Sequence, residues 1–118
     1  MATVYYRHIC NVRERNQLIA ERKILSVNNA SGYETWYTPT RYDDPFLAQR
    51  ELALPSPLVP EYRVGPVPEA AMPPLTTGPR RVAPAFGHPG GGIEIATNSP
   101  VWLFGLWSFT NDAYDASV

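Results

Sequence analysis

The segment PAFGHPGGGIEI, residues 84–95, places three consecutive glycines directly before a strand-like run with a carboxylate at its centre. Glycine weakens a strand because it loses more backbone freedom on folding than other residues and offers no side chain to pack. The glycine run therefore indicates a place where another group approaches the backbone closely. Side chains alternate faces in a strand, so Glu94 lies opposite Ile93 and Ile95. If the isoleucines face the core, Glu94 faces either solvent or a cleft.

The composition is typical of one compact domain. The chain has 118 residues, of which 44% are hydrophobic and 18% are charged, and 13 are prolines. This length predicts a single domain over residues 1–118, and the proline density favours short elements joined by rigid connections. The single cysteine, Cys10, excludes an internal disulfide and a multi-cysteine zinc site, and we expect no metal.

Charge and hydropathy restrict the partners of the domain. The net charge of −1 argues against bulk attraction of the whole molecule to nucleic acid or to anionic lipid. A local basic cluster on the first predicted helix leaves a nucleic-acid target open, and it consists of Arg13, Arg15, Arg22 and Lys23. The sequence shows no signal peptide and no apolar run long enough to span a bilayer, so we expect no membrane partner.

Residue patterns predict a small α+β domain with two helices and a mixed, mostly antiparallel sheet. Asn11 is the predicted cap of the first helix, and Asp44 with Pro45 starts the second. A proline-rich loop is predicted over residues 68–81, a hairpin turn over 97–100 and a frayed tail after Thr110. The predicted helices are residues 11–25 and 43–54, and the predicted strands are residues 2–9, 35–39, 61–67 (interrupted at Gly65 and Pro66), 80–86, 92–97 and 101–109.

Two further stretches combine polar groups with aromatic rings. Arg7 and His8 are neighbours in the first strand, so they point in opposite directions and only one can enter a given cleft. A guanidinium suits a phosphate or a diol better than one imidazole does, which favours Arg7, although an exposed strand-edge arginine is the plain alternative. Trp36 and Tyr37 offer a stacking face beside Thr38, and core packing is the alternative for at least one of these rings.

The common nucleotide-binding and hydrolase motifs are missing from the sequence. We find no Walker motif, no H-E-x-x-H and no G-x-S-x-G. The run GHPGGG also lacks the dinucleotide-fold arrangement, because a predicted strand follows it rather than a helix.

The segment VAPAFGHPGGGIEI resembles the glycine-rich segment of the tuberculosis-necrotizing-toxin family, whose members carry a similar PAFGQPGGGIQ stretch. WYTP, AQRELALP and YRVGPVP resemble further segments of that family in the same order, so the similarity extends from about Tyr5 to Thr97. The family consists of NAD-cleaving toxin domains, and its fold resembles that of the ADP-ribosyltransferases. Glu94 stands where the family has glutamine, and glutamate is the residue that ADP-ribosyltransferases use. QRELALP is two residues longer than the family's QRALP, so Arg50 need not have the role of the family's arginine.

The resemblance implies an ADP-ribosyltransferase-like fold and a toxin that cleaves the nicotinamide–ribose bond of NAD and transfers ADP-ribose to a protein or an RNA. An NAD glycohydrolase, with water as acceptor, is the alternative. Such cleavage passes through an oxocarbenium-like cation, which a fixed carboxylate can stabilise. The implied catalytic residues are Glu94, Arg7 and Thr38, and the implied NAD-binding residues are Arg7, Trp36, Tyr37, Arg50, Gly91 and Gly92. If His8 rather than Arg7 faces the site, Tyr37 is its expected aromatic partner.

The same resemblance implies a biological setting. Members of the family are often the C-terminal parts of larger secreted proteins, so we expect action in the cytoplasm of a target cell, as in interbacterial competition, and an immunity protein as partner. A second alternative is a non-catalytic interaction module, because the prolines of residues 55–84 can form extended segments that dock on aromatic grooves. Loop stiffening by these prolines is the plain explanation for them.

Overall fold

The computed structural model describes residues 3–10, 12–24, 34–55 and 58–117 of the chain. It has an α+β architecture with two α-helices, and every strand pair in these residues is antiparallel. The predicted fold class is therefore confirmed. In chain order the elements are β1 (Val4–Ile9), α1 (Val12–Glu21), β2 (Lys23–Ile24), β3 (Thr35–Tyr37), α2 (Pro45–Glu51), β4 (Tyr62–Pro68), β5 (Thr77–Arg81), β6 (Ile93–Thr97), β7 (Val101–Trp102), β8 (Gly105–Ser108) and β9 (Ala113–Ser117).

In the part of the chain that the structure describes, three sheets share one core. The largest has the strand order β1-β4-β8-β9, the second has the order β3-β6-β5, and β2 pairs with β7 in a small third sheet. Leu18 is the buried residue of α1, and it packs with Ile24 of β2 and with apolar side chains of the two larger sheets. The remaining members of this cluster of buried side chains are Tyr5, Ile9, Tyr37, Val64, Val67, Ile95, Val101, Leu103 and Leu106.

The sequence predicts the start of α2 correctly but not the end of α1. Asp44 caps α2 as predicted, because its Oδ1 accepts a hydrogen bond of 2.9 Å from the Phe46 N–H, and Pro45 opens the helix. The prediction for α1 is too long, since the helix ends at Glu21 and Arg22 adopts a left-handed conformation with φ of 58°. Burial of Ile24 against β7 favours a strand there over helix continuation. Asn11 and Leu25 lie outside the described residues.

The proline-rich region is more regular than predicted. Instead of a loop over residues 68–81, the chain forms a 3-10 helix at Glu69–Ala71 and then β5. The side chains of β5 are largely exposed, so the strand is held by backbone pairing to β6 and carries no hydrophobic alternation. The strand β4 also continues through Gly65 and Pro66.

The end of the chain departs from prediction in three places. Residues 97–100 do not join a hairpin, because β6 and β7 belong to different sheets. The strand predicted at residues 101–109 divides into β7 and β8, and residues 82–86 are not part of a strand. Where a frayed tail is predicted after Thr110, β9 pairs with β8.

Candidate functional site

A cavity of about 530 Å³ lies between β1, the β3-β6-β5 sheet, the residues that follow α2 and the segment 82–86. This volume is within the range of small-molecule binding sites. Four charged side chains line it as two arginine–glutamate pairs, Arg7 with Glu14 and Arg80 with Glu94, and Trp36 lies on its wall as well. Residues far apart in the chain are thus brought to one concave surface.

A short backbone junction brings β1 and β3 together at this cavity. Tyr6 and Thr38 exchange two backbone hydrogen bonds of 2.8 Å each. Arg7 therefore lies beside Trp36, and its Nη1 donates a hydrogen bond of 3.4 Å to the Trp36 carbonyl oxygen. The junction places the first-strand arginine and the tryptophan of β3 in one site.

The Arg7 guanidinium is held in place by Glu14 of α1. Nε donates to Glu14 Oε1 at 2.8 Å, and Nη2 lies 2.7 Å from the same oxygen. The two side chains are only 14% and 18% exposed, so the pair is largely desolvated and its geometry is well defined. A rigid guanidinium at the cavity wall is a suitable donor to a phosphate or to a ribose diol.

Glu94 lies on the cavity face of β6 together with Arg80 and Trp36. Arg80 is the direct cross-strand neighbour of Glu94 on β5, and its Nε donates to Glu94 Oε1 at 2.9 Å. Trp36 pairs with Ala96, which shares the face of Glu94 because side chains alternate along a strand. The Arg80 Cζ lies 4.8 Å from the centre of the Trp36 ring. Glu94 is 17% exposed, so it lies inside the cleft and not on the outer surface.

Thr38 and Tyr37 line the same cavity in more buried positions. Thr38 is 1% exposed, and its hydroxyl oxygen accepts a hydrogen bond of 3.2 Å from the Thr40 N–H. Tyr37 is a member of the core, and its hydroxyl has no hydrogen-bond partner in the described part of the chain. Burial raises the pKa of Tyr37 further above its ordinary value, so the phenol stays protonated at neutral pH. Trp36 is the more accessible of the two adjacent rings.

The glycines of the opening segment contact the protein's own backbone. The N–H groups of Gly90 and Gly92 donate to the carbonyl oxygens of Arg50 and Glu51 at the end of α2, both at 3.0 Å. A Cβ on Gly92 would lie 2.8 Å from the Tyr42 hydroxyl and 3.0 Å from the Glu51 oxygen. The groups that approach these glycines closely are therefore the end of α2 at Gly92 and the backbone of Val82 and Ala83 at Gly90.

Three sequence-predicted binding residues lie outside the lining of the cavity. The Arg50 side chain is exposed on α2, while Gly91 and Gly92 follow the turn that precedes β6. Gly91 donates its N–H to the Val82 carbonyl at 2.9 Å, and its own carbonyl oxygen accepts from Arg81 Nη1 at 3.2 Å. These residues position β6, and hence Glu94, without facing the cavity.

His8 and Cys10 are poor candidates for proton transfer or nucleophilic attack at neutral pH. His8 also lines the cavity, but its ring packs against Tyr42 and Phe109, with ring centroids 5.5 Å and 6.3 Å away. Burial, with the nearby Arg63 and Arg7 charges, lowers the pKa of His8 to about 3. Burial and the Glu14 carboxylate raise the pKa of Cys10 to about 11, so its thiol remains protonated.

Arg80, Glu14 and Phe86 are lining residues that sequence reasoning did not assign to the site. Arg80 lies where the predicted loop of residues 68–81 and the predicted strand of residues 80–86 overlap, and its register against Glu94 depends on the pairing of β5 with β6. Glu14 lies within the predicted helix of residues 11–25, where the sequence gives no sign of its ion pair with Arg7. In the described ranges no group of three or more His, Cys, Asp or Glu side chains is arranged to hold a metal ion.

No helix among the residues that the structure describes is long and apolar enough to cross a membrane. Comparisons of the chain with protein-family models, with curated proteins and with solved structures gave no match.

Proposed function

We propose that this chain cleaves the nicotinamide–ribose bond of NAD and transfers ADP-ribose to a macromolecular acceptor, either a protein or an RNA. The observation that carries the proposal is the convergence of Arg7, Trp36, Thr38 and Glu94 on one cavity. Their side chains supply a hydrogen-bond donor to phosphate, an aromatic surface and a carboxylate, which together suit a dinucleotide. NAD in particular is supported by the resemblance of residues 84–95 to the glycine-rich segment of NAD-cleaving toxins.

In the proposed reaction the bonding pair of the nicotinamide–ribose bond leaves with the pyridinium nitrogen, which becomes neutral. The ribose C1′ becomes cationic, and the Glu94 carboxylate stabilises this charge. The acceptor then forms a bond to C1′, and the proton of its nucleophile passes to Glu94 and on to solvent. Nicotinamide leaves as a neutral base without needing an acid, so the low pKa of His8 is no obstacle.

The two arginines give the diphosphate of NAD two binding groups. Arg7 is fixed by Glu14, whereas the Arg80 side chain is 56% exposed and can exchange partners. On our proposal, the arriving phosphates draw Arg80 away from Glu94. The carboxylate is then available to the ribose when NAD is bound.

Water remains the rival acceptor, because the PAFGHPGGGI run resembles a family of NAD-cleaving enzymes. The test is incubation of the purified chain with NAD labelled in the adenylate phosphate, with and without cell lysate, while nicotinamide release is followed. We expect label to enter protein or RNA and release to be slow without lysate. Fast multiple-turnover release with NAD alone would favour the glycohydrolase, and no release in either condition would contradict both activities.

The setting of the activity follows from the same resemblance. A domain of this kind acts in the cytoplasm of a target cell after delivery as part of a larger secreted protein, and an immunity protein protects the producer. Expression inside a bacterial cell should therefore arrest growth in proportion to NAD-cleaving activity. Growth at the normal rate with active enzyme present would argue against the toxin role but not against the NAD-cleaving activity.

A further inference from the structure

Phe86 lies at the tip of a tight turn on the cavity. Ala85 and His88 exchange backbone hydrogen bonds of 3.2 Å and 2.9 Å, which leaves Phe86 and Gly87 as a two-residue turn with φ of 54° and 79°. Positive φ at both central positions defines a turn in which asparagine, aspartate or glycine normally stands first. A bulky side chain is disfavoured in this left-handed region, so Phe86 is held in an unfavourable conformation.

The Phe86 ring is also exposed, although it lines the cavity. The side chain is 59% exposed, whereas Tyr6 and Tyr37, which line the same cavity, are 7% and 2% exposed. The Arg80 guanidinium already covers one face of Trp36. Within the described part of the chain, Phe86 is therefore the aromatic side chain of the cavity with most surface open to a ligand. Phe86 thus combines an exposed apolar ring with a left-handed backbone, and both features are energetically unfavourable in the free protein. The residue lies at the cavity opening.

We propose that Phe86 is a ligand-binding residue whose ring stacks on a planar heteroaromatic ring of the bound dinucleotide. This inference rests on the proposed function for the identity of the ligand. The turn holds the ring at the opening, where it covers the ligand ring once the phosphates occupy the cavity. Either the nicotinamide or the adenine ring has the required chemistry, and the experiment below separates them.

The experiment measures the affinity of three probes by calorimetry at one salt concentration. Nicotinamide mononucleotide carries the nicotinamide ring, ADP-ribose carries the adenine ring, and inorganic pyrophosphate carries neither. We expect Phe86→Ala to weaken one of the ring-bearing probes by about tenfold or more, as loss of one base–aromatic stack does. Binding of pyrophosphate should stay unchanged, and Phe86→Tyr should retain the wild-type affinities. Phe104→Ala is the matched control, since Phe104 is 42% exposed and does not line the cavity.

Phe86→Gly provides a second variant that suits the left-handed backbone and is expected to fold at least as well as the parent. Wild-type affinities of Phe86→Ala and Phe86→Gly for both ring-bearing probes would overturn the inference. So would an equal loss for pyrophosphate, which would indicate a structural role, or a parent that binds neither ring-bearing probe. NAD cleavage is assayed separately. Ring-dependent binding without cleavage would overturn the proposed function alone, and cleavage with no dependence on Phe86 would overturn this inference alone.

Discussion

Arg80 of β5 and Glu94 of β6 are direct cross-strand neighbours, with Arg80 Nε 2.9 Å from Glu94 Oε1. The same guanidinium lies over the Trp36 ring. One exposed arginine thus contacts both the carboxylate and the aromatic surface of the cavity. Because the Arg80 side chain is 56% exposed, solvent screens the pair, and its contribution to stability should be small, about 1 kcal/mol or less.

We predict that Arg80→Ala weakens the binding of pyrophosphate by about tenfold while the unfolding temperature changes little, since a charge-assisted hydrogen bond to a phosphate is lost. Arg81→Ala is the matched control, because Arg81 is exposed on the same strand and does not line the cavity. Calorimetry on both variants gives the comparison. Equal weakening by the two substitutions would show that only the general positive charge matters.

Arg7→Ala should reduce NAD cleavage by about a hundredfold or more, because the phosphate or diol loses a fixed donor. Arg7→Lys keeps the charge but not the planar arrangement of donors, so it should recover only part of the rate. Arg41→Ala removes an arginine from a solvent-exposed pair with Asp43 outside the cavity, and it should leave the rate unchanged. Full activity of a folded Arg7→Ala variant would remove Arg7 from the site.

Gly92→Ala should destabilise the protein by about 1–3 kcal/mol, the usual cost of forcing extra atoms into packed structure. The added Cβ would approach the Tyr42 hydroxyl and the Glu51 carbonyl oxygen. The control is Gly78→Ala, where a Cβ would meet nothing within 4 Å. Urea unfolding of the two variants measures the difference. Equal stabilities would mean that α2 does not dock tightly on the glycine run.

His8 should make the protein less stable as the pH is lowered. The pKa of His8 is about 3 in the folded chain and near 6.5 when unfolded, so between these values the unfolded state binds the extra proton. The free energy of unfolding therefore falls as the pH decreases through this window, by up to about 1.4 kcal/mol per pH unit. His8→Phe should lessen this dependence in urea unfolding. An unchanged pH slope in the variant would contradict the buried, neutral histidine.

The sequence predicts the parts of the fold that local signals control. Asp44 and Pro45 mark the start of α2, and the alternation around Glu94 puts that residue opposite the buried Ile95. Only Arg80 and Arg81 of β5 fall within a predicted strand, because the exposed residues of β5 carry no hydrophobic pattern and the strand is held by pairing with β6. The early end of α1 was missed because the burial of Ile24 depends on β7, far along the chain.

The candidate site was predictable only in part for the same reason. Arg7, Trp36 and Glu94 could be selected by residue type and by neighbouring motifs. The ion pair of Arg80 with Glu94 depends on strand register. The position of the Phe86 ring depends on a tight turn whose first central residue is usually glycine or asparagine. The role of the glycine run also depends on tertiary structure, since the groups that approach it are the end of α2 and the backbone of Val82 and Ala83.

In the proposed reaction, the Glu94 carboxylate stabilises the cationic ribose when NAD is cleaved. The most direct measurement is the single-turnover rate of nicotinamide release by Glu94→Gln, alongside its affinity for NAD and the control Glu69→Gln, whose glutamate is exposed and outside the cavity. We predict that the rate falls by about a hundredfold or more. The affinity for NAD should stay nearly unchanged, because the ground state lacks the developing charge. A Glu94→Gln variant that releases nicotinamide and transfers ADP-ribose as fast as the parent would contradict this role of the Glu94 carboxylate.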